Sequence, residues 1–178
     1  MKSTPTFLDF EASSLSSYSY PIEVAWSLDD CSIEAHLISP ASIESWTDWD
    51  SAAERVHGIQ RQQLLTDGKH PVVICNRMNE QLAGKIVYTD APRFDGMWLS
   101  KLFSVSDGVT PKFKLKHIDK LLVSMVCPEI AGRTLGLIKI EVLKQEARKQ
   151  KPRRHRASWD VDYLVQLWKL ASYETRRR

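Results

Sequence analysis

Two acidic residues near the start of the chain, Asp9 and Glu11, are separated by a single apolar residue. Residues 7–11, Phe-Leu-Asp-Phe-Glu, predict a short strand, in which alternate side chains share a face and both carboxylates point to one side. Two charges about 4 Å apart repel by about 4 kcal/mol at an effective dielectric of about 20. Such a pair favours a bound cation, and its oxygen ligands suit Mg²⁺ or Mn²⁺. An exposed strand with two solvated acids is the alternative interpretation.

Two further acids, Asp95 and Asp160, lie at the predicted starts of two amphipathic helices, each on the shoulder of the apolar face. There, either carboxylate can lean toward a neighbouring sheet, or it can simply complement the positive end of its own helix dipole. His155 precedes Asp160 by five positions. A neutral imidazole accepts a proton from water near neutral pH, so His155 is a candidate general base, although a solvated histidine in a basic run fits equally.

Four motifs, in order along the chain, resemble those of the DEDDh exonuclease family, which includes polymerase proofreading subunits, ribonuclease T and oligoribonuclease. They are Phe-Leu-Asp-Phe-Glu at 7–11, Val-His-Gly-Ile at 56–59, Phe-Asp-Gly-Met-Trp-Leu at 94–99 and His-Arg-Ala-Ser-Trp-Asp at 155–160. The match spans nearly the whole chain, and the spacing from His155 to Asp160 is that of the family. The resemblance gives His57, in the second motif, a structural role in a turn.

The resemblance implies a metal-dependent 3′→5′ exonuclease that acts on single-stranded DNA or RNA 3′ ends and releases nucleoside 5′-monophosphates. His155 would be the general base, and the residues that would hold two divalent cations, Mg²⁺ or Mn²⁺, are Asp9, Glu11, Asp95 and Asp160. In such sites one ion activates the attacking water and the other stabilises the leaving 3′ oxygen. The motifs do not show whether the substrate is DNA or RNA, because contacts to the 2′-hydroxyl lie outside them.

Two segments depart from the family pattern. Where the family often has glycine after the first acidic pair, residues 12–15 read Ala-Ser-Ser-Leu, so the turn is less permissive of a positive φ. By analogy Leu15 would wedge against the terminal base, although a leucine after a turn also fits a core position. Ahead of Asp95 the family commonly has His-Asn, whereas residues 90–91 are Asp-Ala here. Asp90 either adds negative charge near the metals or caps the turn.

The order of elements predicts an α/β, ribonuclease H-like fold with a central mixed five-stranded sheet flanked by helices. The predicted strands are 7–11, a run starting near 20 and covering 22–28, then 33–38, 85–89 and 113–118, with a hairpin turn at Asp29-Asp30. The predicted helices are 51–56, 61–65, 72–83, one beginning close to Asp95 and reaching 105, 119–126, 135–149 and a last one from Asp160.

The net charge of +3 does not by itself identify a nucleic-acid binder, but its distribution is uneven. Seven lysines and arginines lie between Lys144 and Arg156, next to His155, against the single acid Glu146. We expect this run to contact the phosphate backbone, with Arg154 and Arg156 as substrate-binding residues and binding weakened by salt. A solvated charged surface is the alternative.

Among six tryptophans, Trp46 and Trp49 fall in a predicted loop. They either stack on single-stranded bases, at about 1–3 kcal/mol each, or close the edge of the core or a dimer contact. The other four, predicted to be core residues, are Trp26, Trp98, Trp159 and Trp168.

The composition and the missing motifs exclude several classes of protein. The chain has 178 residues, 43% of them hydrophobic and 26% charged, which predicts a single globular domain over residues 1–178. Its start lacks signal-peptide character, and the absence of a long apolar run predicts a cytoplasmic protein without a membrane span. Three scattered cysteines predict reduced, mostly buried thiols. P-loop, GxGxxG, GxSxG and HExxH motifs are absent from the sequence. Nucleotide hydrolysis by a Walker site, dinucleotide redox chemistry, serine hydrolysis and zinc peptidase action therefore lack support.

Two other functions fit the same fold. One is a nucleic-acid-binding or subunit-interaction module whose site is weak or inactive, although all four acids and the histidine are present. The other is a metal-dependent nuclease that cuts internally. A homodimer is compatible with the tryptophan content but not required by it.

Overall fold

The computed structural model describes residues 4–127, 133–150 and 155–176, and one five-stranded sheet lies at its centre. The strands are β1 Thr6–Ala12, β2 Pro21–Ser27, β3 Ile33–Leu37, β4 Ile86–Thr89 and β5 Lys114–His117. Their order across the sheet is β3-β2-β1-β4-β5. The first three pair antiparallel, whereas β4 pairs parallel with both β1 and β5. The predicted mixed five-stranded sheet is confirmed.

The turn between β2 and β3 has the chemistry that the sequence predicted. Ser32 donates hydrogen bonds from its backbone N and its Oγ to the Asp30 carboxylate, at 2.9 and 2.6 Å. Cys31, between them, adopts a left-handed conformation with φ of 67°. An aspartate that bonds the backbone two residues on is a common turn former, so β2 reverses here into the antiparallel β3.

The described helices are α1 Ser51–His57, α2 Arg61–Asp67, α3 Pro71–Leu82, α4 Pro92–Ser104, α5 Ile118–Val126, α6 Arg133–Gln150 and α7 Ala157–Arg176. Each predicted helix is present. Two begin about three residues before the acid that was expected to open them. Proline suits a first helical position, because its fixed φ is helical and its missing N–H needs no partner, so α4 starts at Pro92 and Asp95 falls within its first turn.

Alternating side chains of β1 and β2 divide the core into two layers. On one face of the sheet, Leu8, Phe10 and Trp26 pack in a buried cluster with residues of α3 and α4. On the other face, Phe7 and Ala25 pack with α5, α6 and α7. Asp9 and Glu11 share the second face by the period-two alternation of a strand, so they lie on the side that α7 covers.

The loop between β3 and α1 closes the core edge. Trp46 is only 3% exposed, and its ring stacks on Tyr20 with centroids 5.2 Å apart. The Trp49 indole N–H donates to the Glu54 carboxylate at 2.7 Å, and its side chain is half-buried. Trp46 is therefore not available to stack on bases, and the core-edge interpretation holds for it.

The three cysteines are free, as predicted, but only Cys75 is buried; Cys31 and Cys127 are half-buried. Across the part of the chain that the structure describes, no helix combines the length and apolar character needed to cross a membrane.

Candidate active site

The site begins at the carboxyl end of β1. Asp9 is 4% exposed and Glu11 is half-buried. Across the ladder to β2, Asp9 pairs with Ala25 and Glu11 pairs with Glu23, and the register shifts between Glu11 and Ala12. Such irregularities bend a strand and redirect its side chains, and they recur beside active sites.

Asp160 joins this pair from α7. One carboxylate oxygen each from Asp9, Glu11 and Asp160 lie within 4.8 Å of one another, a spacing at which the three residues could hold one metal ion. Asp160 is 4% exposed, and its neighbour Val161 is fully buried in the layer that contains Phe7. The packing of α7 on the sheet thus brings together acids that are about 150 positions apart in the sequence. Three of the four predicted metal-site acids form one cluster.

Asp95 approaches from the opposite side of the sheet, on the first turn of α4, and is 1% exposed. The Thr89 hydroxyl donates a hydrogen bond to its carboxylate and accepts one from the backbone N of Ala91 at 3.0 Å. Asp95 lies outside the group of acids within 4.8 Å, but its negative charge still reaches Asp9 and raises the pKa of that residue.

The electrostatics of the cluster favour a cation. Burial raises the pKa of Asp9 well above its ordinary value, and the charges of Asp95, Asp160, Glu11 and Asp90 raise it further. A carboxylate in this position either takes up a proton or requires a positive charge nearby. Hard oxygen donors at this spacing fit Mg²⁺ or Mn²⁺, so the residues are suited to the implied metals. Asp90 therefore adds negative charge near the site, which was one of its two predicted roles.

His155, the predicted base, is exposed beside the cluster. It lines a cavity of about 500 Å³ together with Glu11, Leu15 and His57. Its φ is 48°, a left-handed conformation that costs a non-glycine residue about 1–2 kcal/mol. This conformation recurs at functional sites, where the surrounding structure holds it in place. The structure brings His155 to the acids; its catalytic role stays a prediction.

His57 holds the turn after α1. Its Nδ1 accepts a hydrogen bond from the backbone N of Ile59 at 3.0 Å, and Gly58 between them has φ of 69°. Burial is the main reason that the pKa of His57 lies below its ordinary value, so the ring is neutral near neutral pH.

The turn that follows β1 is organised by a carboxylate instead of by glycine. Asp48 accepts hydrogen bonds from the hydroxyls of Ser14 and Ser16, at 2.5 and 3.2 Å. Positive φ among the described non-glycine residues occurs only at 31, 107 and 155, so these serines need no strained backbone. Leu15 is 75% exposed at the mouth of the cavity. The core interpretation of Leu15 is wrong, whereas contact with substrate stays a prediction.

The predicted basic surface is only partly described, because Arg154 and the rest of residues 151–154 lie outside the described residues. On α6, Lys144 bonds Asp119 at 2.8 Å and Arg148 lies 3.8 Å from Glu141. Arg156 binds Glu23 through two guanidinium nitrogens, at 2.6 and 3.0 Å. These cations already have acidic partners within the protein, and phosphate binding by Arg154 and Arg156 stays a prediction.

Glu23 is a residue of the site that the sequence did not reveal. Its carboxylate is 3% exposed and binds both Arg156 and the backbone N of Ala157, the latter at 2.9 Å. In the sequence it is one acid in the strand Pro-Ile-Glu-Val-Ala, with a partner 133 positions away. A lone acid in a strand otherwise predicted to be buried was the available signal, because a buried charge needs a partner.

Comparisons with known proteins place the fold. No family model matches the chain, and a search of curated proteins finds no match. Escherichia coli exonuclease I in complex with a dT13 oligonucleotide is 15% identical, with a TM-score of 0.65 over 98% of this chain and 42% of that one. The zinc-bound form of the same enzyme with single-stranded DNA is 14% identical, with a TM-score of 0.67 over 99% of this chain and 42% of that one.

Exonuclease I from Methylocaldum szegediense is 16% identical, with a TM-score of 0.63 over 96% of this chain and 41% of that one. The chain thus spans less than half the length of these solved neighbours. At this level of identity, the likeness shows that the chain shares the ribonuclease H-like fold of the exonuclease I structures.

Proposed function

We propose that this chain is a metal-dependent 3′→5′ exonuclease of the DEDDh type, which removes nucleoside 5′-monophosphates from single-stranded 3′ ends. The convergence of Asp9, Glu11 and Asp160 within 4.8 Å carries the proposal, because three buried or half-buried carboxylates this close repel one another and a bound cation would relieve that repulsion. Asp95 and His155 lie beside them, as the motif order predicts. The likeness to exonucleases solved with single-stranded DNA supports the same reaction class.

The acids that would hold two divalent cations are Asp9, Glu11, Asp95 and Asp160. When bound, Mg²⁺ or Mn²⁺ supplies Lewis-acid activation of water and charge neutralisation at the reacting phosphate. The protein contributes the arrangement of the ligands: β1 fixes two acids, while α4 and α7 each bring one from opposite faces of the sheet. Each of these elements is anchored in a buried apolar layer.

His155 would remove the proton from the attacking water. Its side chain is exposed at the edge of the cavity, so water and substrate can reach it, and it lines the same cavity as Glu11. A neutral imidazole is a suitable base near neutral pH. The cavity itself, at about 500 Å³, has room for a terminal nucleotide, with Leu15 at its mouth.

The substrate class is a single strand with a free 3′ end, DNA or RNA. The two Escherichia coli exonuclease I structures were determined with a dT13 oligonucleotide and with single-stranded DNA, which makes DNA the first substrate to test. RNA of the same sequence belongs in the same assay, because the 2′-hydroxyl is the group that would separate the two.

The test uses 5′-labelled single-stranded DNA and RNA of equal sequence, incubated with wild type, Asp9→Asn or Asp29→Asn, in Mg²⁺, Mn²⁺ or chelator. We expect a ladder that shortens from the 3′ end with wild type and divalent cation. Asp9→Asn and chelator should each abolish it. Asp29 lies in the turn between β2 and β3, where its exposed carboxylate pairs with Lys85. Asp29→Asn should therefore behave as wild type.

Each contrary result selects one alternative. Activity retained in chelator or in Asp9→Asn would overturn the metal mechanism. Cleavage of a closed circular single strand would show an internally cutting nuclease. Binding of single strands without any hydrolysis, in both metals, would indicate an inactive binding module.

A further inference from the structure

We infer that Glu23 is a positioning residue of this site: by binding Arg156 and the first amide of α7, it fixes His155 and Asp160 relative to the acids of β1. The inference rests on the proposed function for its catalytic consequence. In the proposed mechanism Glu23 contacts neither substrate nor metal and acts through residues 155–160, which carry the base and one of the ligand acids.

Glu23 holds Arg156 and Ala157 through four hydrogen bonds, an arrangement called the clamp below. Its two carboxylate oxygens accept hydrogen bonds from Arg156 Nε at 3.2 and 3.0 Å, and Oε1 accepts one from an Arg156 terminal nitrogen at 2.6 Å. Oε2 also accepts the Ala157 backbone N–H at 2.9 Å. Charge-assisted, two-pronged pairs of this kind are the strong and directional hydrogen bonds of proteins. These bonds hold Arg156 and Ala157 against β2.

The clamp joins the two halves of the site. Glu23 lies opposite Glu11 in the β1–β2 ladder, so its backbone is fixed to the strand that carries the first acidic pair. The residue preceding Arg156 is His155, and the carbonyl of Arg156 accepts the Asp160 backbone N–H at 3.0 Å. One buried carboxylate thereby holds both the start of α7 and the residue that directly follows His155.

Precise placement is what such a contact supplies to catalysis. Displacement of a reacting group by about 1 Å can cost about 10²-fold in rate. Partners in the outer shell of metal sites typically change affinity or activity by about 10- to 100-fold when removed. Arg156 keeps 38% of its side chain exposed, whereas Glu23 is enclosed, so the arginine closes the clamp from the solvent side.

A second ion pair in the same sheet provides a matched control. Glu34 on β3 binds Arg77 on α3 through Nε at 2.7 Å and a terminal nitrogen at 2.9 Å, which is the same two-pronged geometry. Arg77 does not adjoin any residue of the proposed site in the sequence. Glu34→Gln therefore loses a comparable sheet-to-helix ion pair without loosening the start of α7.

The experiment compares Glu23→Gln, Arg156→Gln, the double variant, Arg156→Lys and Glu34→Gln. On single-stranded DNA with saturating divalent cation, we expect kcat to fall about 10- to 100-fold in Glu23→Gln and in Arg156→Gln, with the KM of Glu23→Gln changed less than about threefold. The kcat of the double variant should be no lower than that of the less active single variant, because both substitutions break the same interaction. Arg156→Lys keeps the charge but not the two-pronged geometry, so it should recover only part of the lost kcat, and Glu34→Gln should match wild type.

Amide hydrogen exchange tests the placement without relying on activity. Residues 156–160 should exchange about tenfold faster or more in Glu23→Gln than in wild type, and at the wild-type rate in Glu34→Gln. Unchanged exchange together with wild-type kcat in Glu23→Gln would overturn the inference, as would an equal loss of kcat in Glu34→Gln.

If wild type hydrolyses nothing, the proposed function fails, while faster exchange confined to Glu23→Gln and Arg156→Gln still supports the clamp. If Glu23→Gln does not fold, Arg156→Lys and Arg156→Gln decide by the same two measurements.

Discussion

The Thr89 hydroxyl, at the end of β4, donates a hydrogen bond to the carboxylate of Asp95 on α4, and both residues are buried. The same hydroxyl accepts from the Ala91 backbone, so one side chain ties the strand end to the first turn of α4. Thr89→Val keeps the shape and removes both contacts. We expect activity to fall about 10- to 100-fold and the free energy of unfolding to drop by about 1–3 kcal/mol.

Thr66→Val is the matched control for that prediction, since Thr66 lies on the exposed surface of α2 and bonds only the local Gln63 carbonyl among the described contacts. It should leave turnover unchanged. Steady-state kinetics and denaturant unfolding of the two variants give both quantities. Equal turnover in Thr89→Val and wild type would mean that Asp95 does not depend on Thr89 for its position.

The acid cluster should make the metal-free protein less stable as pH rises. The pKa of Asp9 is raised in the folded state by burial first and by neighbouring acids second. At pH values between the unfolded and the folded pKa, the folded state therefore holds a proton that the unfolded chain has released. Stability from that proton is full below the unfolded pKa and is lost as pH rises through the folded pKa. Divalent cation reverses the loss, because binding to the folded state alone adds about 2.7 kcal/mol at a concentration 100 times the Kd.

His57 acts in the opposite direction, since its lowered pKa makes the folded state bind fewer protons, and stability rises with pH through the ordinary histidine range. The comparison of wild type with Asp9→Asn separates the two. In chelator at about pH 8 we expect Asp9→Asn to be more stable by about 1–2 kcal/mol, with the gap closing as pH falls toward the unfolded aspartate pKa of about 3.9. Thermal unfolding across this range, with and without Mn²⁺, measures it. A gap that is absent or widens toward acid would contradict the charge repulsion at Asp9.

Turnover should depend on His155 far more than metal binding does. His155→Ala removes the proposed proton acceptor and leaves all four acids, so kcat should fall about 10²- to 10⁴-fold, while the Mn²⁺ affinity measured by calorimetry stays within about threefold. His70→Asn is the control, because His70 caps α3 by accepting the Val72 N–H, and asparagine retains a capping group. Unchanged turnover in His155→Ala would remove it as the base.

The elements of this fold were largely predictable from local pattern, because apolar periodicity and turn residues act over a few positions. Residues 7–11 and 33–38 were recognised as strands, and the chemistry at Asp30 gave the hairpin. Helix starts were less accurate: Pro92 begins α4 ahead of Asp95, since proline fixes the first turn without any apolar signal.

The site was predictable only where its residues belong to short motifs. Asp9 with Glu11, and His155 with Asp160, lie within a few positions of each other, and the structure brings both pairs to one place. Glu23 was missed because its meaning depends on a partner 133 residues away. Trp46 was ambiguous for the same reason: its enclosure is shown only by the folded structure, in which it is 3% exposed and stacks on Tyr20.

Leu15 should contribute to substrate binding and not to chemistry or folding. Its side chain is 75% exposed beside the cavity, on a turn that Asp48 holds through Ser14, so truncation removes apolar surface that a bound strand would cover. Leu15→Ala should raise KM about tenfold, as expected for about 1.4 kcal/mol of lost apolar burial, with kcat within about twofold of wild type and stability within about 0.5 kcal/mol. Leu137→Ala, an equally conservative truncation of an exposed leucine on α6, should change none of these. A KM for Leu15→Ala equal to that of Leu137→Ala would show that the nucleic-acid strand enters the cavity without touching this turn. The turn at residues 12–15 would then only keep β1 and its acids in place.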